Sequence, residues 1–203
     1  MKILFLTNSK LSQPLIEWLE QYEQVIVFEN KLSVEIIQNI KPEFVVSYSY
    51  KHIIKQDVLS LVVNRIINLH ISYLPHNRGA DPNVWSHLNN TPKGATIHFI
   101  DKGLDTGDIL VQKKVRFNDS LETLASSYKK LHQVIQQLFK DNWQSIKTNK
   151  ITNTKQTGKT SYHQAEEFGN IKMELLGKED WDVKISVLKD RYTKMIKNNH
   201  EKS

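Results

Sequence analysis

Residues 44–71 read FVVSYSYKHIIKQDVLSLVVNRIINLHI. The segment opens on one apolar run, FVVSY at 44–48, and closes on another, RIINLHI at 65–71. Short apolar runs rich in β-branched residues read as buried strands. Between them, residues 51–61 read as a helix. Strand, helix and strand in that order form the crossover that joins parallel strands. The pattern extends upstream. KILFL at 2–6 and VIVF at 25–28 read as two more strands, with Leu11, Leu15, Trp18 and Leu19 at helical spacing between them. LSVEIIQNI at 32–40 reads as a helix with Ser33 at its N-cap, Glu35 close behind and Pro42 ending it. Four strands separated by single helices predict an α/β fold, a mostly parallel twisted sheet flanked by helices.

The second half changes character. Asp81-Pro82 resembles an N-cap followed by proline at the first helical position, opening a helix through Leu88. Residues 95–100 and 109–115 read as strands joined by DKGLDTGD. Ser120 is expected to cap a long helix whose stripe of Leu121, Leu124, Tyr128, Leu131, Ile135, Leu138 and Phe139 faces the core. Residues 147–160 are polar and read as loop. Residues 162–199 carry Ile171, Leu175, Leu176, Trp181, Val183, Ile185, Val187 and Leu188, enough to pack on the body. The expected organisation is one domain over 1–145 and a short C-terminal extension over 146–203.

Composition excludes several classes. The 203 residues contain 7 glycines and no cysteine. No glycine precedes Gly79, so neither a G-x-G-x-x-G fingerprint nor a P-loop can follow an early strand. Without cysteine there are no disulfides, no thiolate metal ligands and no thiol nucleophile. The apolar run in MKILFLTNSK is too short for a signal peptide, and no run approaches the roughly 20 apolar residues of a membrane span. A cytoplasmic protein with no membrane partner is expected. The net charge is +6, with thirteen basic and nine acidic side chains after residue 139. The signs are interspersed, which fits a solvated helical tail better than a nucleic-acid surface. A mild positive field also suits a phosphate-bearing small substrate.

Candidate chemistry lies between residues 66 and 108. Along IINLHIS the side chains alternate, so Ile67, Leu69 and Ile71 share one face and Asn68 and His70 the other. An amide and an imidazole side by side near a strand's carboxyl end suit a ligand site, since open α/β sheets bind ligands there. The alternative is a pair of hydrogen-bonded core polar groups. DKGLDTGD adds Asp101, Asp105 and Asp108, with Gly103 and Gly107 permitting tight turns. It reads either as a plain surface turn or as part of a site. The spacing lacks the calcium-loop pattern.

The segments NLHISYLPHNRGA and LDTGDI resemble the signature of folate-dependent formyltransferases, most closely the branch acting on nucleotide-linked amino sugars. The resemblance is strongest over residues 66–115. It implies a Rossmann-like core, 10-formyltetrahydrofolate as formyl donor, a primary amine as acceptor and no metal. It implies that Asn68, His70 and Asp105 are catalytic. It also implies that the pterin lies against main chain at Tyr50, Lys51, His52 and Ile53 and at Asp101, Gly103 and Leu104.

Three branches differ in their acceptor. The glycinamide ribonucleotide branch carries a glycine-rich phosphate loop after the first strand, where this chain has TNSKLSQ. The methionyl-tRNA branch is longer, with a C-terminal barrel. The amino-sugar branch has loops resembling LPHNRGADPNVW, which favours a sugar destined for surface glycans. That resemblance implies substrate contacts at Asn77, Arg78, Gly79 and Asn83, and at Asn8 and Lys10 near a pyrophosphate. Trp85 and His98 are expected to be structural. A homodimer is compatible with the sequence. A non-catalytic nucleic-acid module stands as the reading from a different class.

Overall fold

The computed structural model describes residues 1–200, and the last three positions of the expected extension lie outside them. In chain order the elements are β1 (Lys2–Leu6), α1 (Gln13–Leu19), β2 (Gln24–Phe28), α2 (Val34–Ile40), β3 (Phe44–Ser47), α3 (Gln56–Leu59), β4 (Ile66–His70) and β5 (Arg78–Gly79). Then come α4 (Pro82–Leu88), β6 (Gly94–Phe99), β7 (Ile109–Lys114), α5 (Leu124–Lys147), β8 (Tyr162–His163), α6 (Ala165–Leu176) and α7 (Ile185–His200). Among the described residues no helix is long and apolar enough to cross a membrane.

The chain forms two compact units. The first comprises Met1–His70, Thr96–Gln112 and Ile135–Gln156, and the second comprises Ile71–Ala95, Lys113–Val134 and Thr157–Ser203. Each draws on residues from both sides of position 145.

A six-stranded sheet in the order β2-β1-β3-β4-β6-β7 organises the first unit. The β1–β2, β1–β3 and β3–β4 pairs are parallel, and β4–β6 is antiparallel. This is the predicted mostly parallel sheet. The order reverses at β1, because the chain runs outward to β2 and returns through α2 to β3. Such a reversal opens a crevice beyond the carboxyl ends of β1 and β3.

Period-two alternation explains both layers. Leu4, Leu6, Val45 and Ile66 pack with Ile37 of α2 and with Val58, Leu59 and Val62 in and after α3. On α5, Phe139 meets Trp18 edge-on at 6.2 Å and stacks on Trp143 at 5.1 Å, and Trp143 meets Phe44 at 5.3 Å. The α5 stripe is buried at Leu124, Leu131, Ile135, Leu138, Phe139, Trp143 and Ile146, as a 3.6-residue period requires.

Three local expectations are corrected. Helix 51–61 shrinks to the single turn of α3, because Lys51 donates its backbone N–H to Asn8 Oδ1 at 3.0 Å and His52 is held at Glu29 O at 3.2 Å. Those long-range bonds keep residues 50–55 out of a helix. Helix α5 begins after Thr123, not Ser120. Thr123 Oγ1 accepts from Ser126 N at 3.1 Å while Ser126 Oγ accepts from Thr123 N at 2.9 Å, a reciprocal cap. Leu121 accordingly lies in the preceding turn, 76% exposed. Asp81 occupies the expected N-cap of α4, but with φ 50° and ψ 42°, and its side chain makes no cap bond. Ser33 caps α2 as expected, accepting from Ile36 N at 3.3 Å.

In the second unit, β5 pairs in parallel with β8, and Trp85, Leu88, Phe168, Leu175, Val183 and Leu188 form the core. Trp85 stacks on His163 at 4.1 Å with the planes 6° apart, which agrees with a packing role.

Two buried histidines belong to this unit. Burial pushes His87 down to about 4, with Lys93 and Lys189 adding to the effect and Asp119 opposing it. Burial alone pushes His132 down to about 4. The unfolded chain takes up protons on these rings near pH 6.5, the folded chain only near pH 4. Their contribution to stability is therefore intact above pH 6.5 and is lost as the pH falls from 6.5 towards 4. Each ring accounts for up to about 3 kcal/mol. Denaturant midpoints recorded from pH 7 to 4.5 should fall steeply for the wild type and less steeply for His87→Phe. Equal slopes for the two proteins would contradict this assignment.

Candidate active site

Strand β4 ends at His70, and its register sets Asn68 opposite His98 and His70 opposite Thr96 on β6. After β6 the chain makes the loop 100–108 and folds back on itself, with Phe99 N donating to Asp108 O at 2.9 Å. Gly107 is required at that return, since a Cβ there would collide with the Phe99 carbonyl.

The loop delivers Asp105 to the polar face of β4. Asn68 Nδ2 donates to Asp105 Oδ1 at 3.1 Å, and Asp105 Oδ2 lies 3.6 Å from His70 Nδ1. Asp105 adopts φ 52°, the left-handed region that aspartate tolerates better than most residues. Asp101 braces the turn, its Oδ1 accepting from Gly103 N at 3.0 Å and from Thr106 Oγ1.

His98 joins this group. It is fully buried, with Nδ1 2.7 Å from the Phe99 carbonyl. Its Nε2 lies 3.4 Å from both Asn68 Nδ2 and Asp105 Oδ1. His98 was expected to be structural; its contacts make it the support on which Asn68 and Asp105 rest. Its register opposite Asn68 on β4 brings it to that face.

Around the crevice, Asn8 Nδ2 donates to Glu29 O at 2.8 Å while Asn8 Oδ1 accepts from Lys51 N. The Asn8 amide thus stitches the loops after β1, β2 and β3 together. The hydroxyl of Tyr50 donates to Asn30 O and accepts from Leu32 N. Ile53 and Leu104 are apolar yet 76% and 46% exposed on their loops. Lys10 lies in the 3-10 turn before α1.

The other expected contacts lie in the second unit. Asn77 is buried and donates to Thr91 Oγ1 at 2.8 Å. The Arg78 N–H donates to Ser161 O at 2.9 Å. Gly79 has φ 84°, and a Cβ there would meet the His163 carbonyl. Asn83 is 3% exposed, donates to Leu124 O at 3.1 Å and accepts from Ser127 Oγ at 3.1 Å. Both ends of its amide tie α4 to α5.

An amide, an imidazole and a carboxylate gather at the strand ends of a mostly parallel sheet. Residues 6–142 match the formyl transferase family, and the chain belongs to it. Among curated relatives, methionyl-tRNA formyltransferase of Thermodesulfovibrio yellowstonii is 33% identical over 181 residues, covering 81% of this chain and 57% of its own. The corresponding enzyme of Clostridium novyi is 38% identical over 104 residues, covering 51% and 34%. The chain thus spans about a third to somewhat over half of these relatives. The formyltransferase PseJ from Anoxybacillus kamchatkensis, solved with UDP-4,6-dideoxy-4-formamido-L-AltNAc and tetrahydrofolate, is 40% identical with a TM-score of 0.85. That likeness covers 93% of this chain and 97% of PseJ. A 4-N formyltransferase from Francisella tularensis, 23% identical with a TM-score of 0.78 over 94% of this chain and 87% of its own, shares the fold.

Proposed function

We propose that the protein transfers a formyl group from 10-formyltetrahydrofolate to the primary amine of a nucleotide-linked amino sugar destined for surface glycans. The observation that carries this reading is the convergence of Asn68, His70 and Asp105, supported by His98. The likeness to PseJ over nearly both full lengths favours the sugar acceptor over a tRNA.

The donor supplies a formyl carbon bonded to a nitrogen leaving group. Exposed Ile53 and Leu104, with the main chain of residues 50–53 and 101–105, suit an apolar-faced heterocycle such as a pterin. Tyr50 and Asp101 would hold those loops in shape, since their polar atoms are already bonded within them. As the amine attacks, negative charge grows on the formyl oxygen. Asn68 and His70 are the donors for that oxygen, and one such fixed donor contributes roughly 3–4 kcal/mol. With Nδ1 turned to Asp105, His70 offers Nε2 to the reacting group. Asp105 orients the ring and takes the proton shed by the amine, directly or through a water; as the tetrahedral species collapses, the bond to the donor nitrogen breaks and that nitrogen takes up a proton. The family resemblance assigns acceptor contacts to Asn77, Arg78 and Gly79 and pyrophosphate contacts to Asn8 and Lys10. A cytoplasmic location fits this reading, both substrates being charged molecules.

The test is incubation with 10-formyltetrahydrofolate and a panel of UDP- and dTDP-linked amino sugars, glycinamide ribonucleotide and initiator methionyl-tRNA. Formylation of at least one nucleotide sugar is expected. Formylation of the ribonucleotide or the tRNA alone would overturn the sugar reading.

A further inference from the structure

We propose that Gln156 is a positioning residue for the transfer reaction, acting through Asp105 by clamping the backbone of its loop. The proposal rests on the reading that Asp105 takes part in formyl transfer.

Gln156 lies 51 residues beyond Asp105, in the polar stretch after α5. Its Nε2 donates to Asp105 O at 2.8 Å and to Gly107 O at 2.8 Å. Both partners are carbonyl oxygens, so the carboxamide nitrogen must face them, and each of its hydrogens has an acceptor. The flanking chain runs alongside the same loop. Thr154 and Ile109 exchange backbone hydrogen bonds at 2.8 Å each, and Asn153 Nδ2 donates to Asp108 Oδ2 at 2.6 Å. Asp101 braces the loop ahead of Asp105, and Gln156 braces it at and beyond Asp105.

The need for a second brace follows from the backbone. Asp105 sits at φ 52°, a conformation that persists where the surroundings over-determine it. Relaxation of that angle would swing the carboxylate away from His70 and Asn68. A displacement of about 1 Å at a reacting group costs on the order of a hundredfold in rate.

Gln156→Ala should lower kcat by about tenfold to a hundredfold while leaving KM for both substrates within about threefold. Gln156→Glu has the same shape but, ionised, no hydrogens. It should lose as much as the alanine variant at neutral pH and regain part of the loss, relative to wild type, as the protonated acid becomes a donor. Adding Gln156→Ala to Asp105→Asn should cost nothing further, because one residue acts through the other. In hydrogen exchange, the amides of residues 103–107 should exchange faster in Gln156→Ala while those of β1 keep their protection. Wild-type kcat in Gln156→Glu, multiplicative losses in the double variant, or unchanged exchange at 103–107 would each overturn the proposal. A wild-type protein that formylates no amine, or a fully active Asp105→Asn, would instead count against the functional reading. Hydrogen exchange would then decide the clamp by itself.

Discussion

Replacing Asp105 by asparagine is expected to lower kcat/KM for formyl transfer by about a hundredfold to ten-thousandfold with little change in stability. The substitution separates chemistry from architecture. Asparagine matches aspartate in size and accepts the left-handed region as readily, so the φ of 52° adds no new strain. What disappears is the carboxylate oxygen beside His70 Nδ1, which in the proposed reaction accepts the amine proton. The hydrogen bond from Asn68 Nδ2 survives only if the new carboxamide turns its oxygen to Asn68 and its nitrogen to His70. That orientation sets two N–H groups against each other unless the imidazole changes tautomer, so His70 presents the wrong atom to the substrate. Steady-state kinetics with a thermal melt of the same preparation checks this. Activity within tenfold of wild type would remove Asp105 from the mechanism.

His70→Ala is expected to cost a similar factor, about a hundredfold to ten-thousandfold in kcat. His70 is buried at the end of β4 beside Asp105, so truncation removes that contact and, in the proposed reaction, the donor for the developing oxyanion. KM should move far less than kcat, because the interaction is made in the transition state. His70→Gln, which restores one donor, should recover part of the loss. A His70→Ala enzyme with full kcat would refute the assigned chemistry outright.

Much of the sheet was legible because strand periodicity is local. KILFL, VIVF, FVVSY and RIINLHI announced four strands, and alternation alone put Asn68 and His70 on one face. The arrival of Asp105 at that face was not legible from pattern, since a loop's course depends on what it folds back upon. It entered through family resemblance. The shortened α3 shows the same limit, because the bonds that hold Lys51 and His52 originate more than 20 residues upstream. Gln156 was invisible for a different reason. It binds backbone carbonyls, which every residue carries, so nothing in KTNKITNTKQTGKT marks one glutamine as a brace. The cap of α5 was misplaced by three residues because Ser120 and Thr123 are both good caps, and Thr123 alone has Ser126 to return the bond.

The most direct measurement follows labelled formyl carbon from 10-formyltetrahydrofolate into a UDP-linked amino sugar, with wild type and Asp105→Asn run side by side. The label should appear as a formamide on the sugar with the wild type and fall to a hundredth or less of that rate with the variant. Label passing only to initiator methionyl-tRNA or glycinamide ribonucleotide, or reaching the sugar equally with both proteins, would contradict formyl transfer to an amino sugar at Asn68, His70 and Asp105.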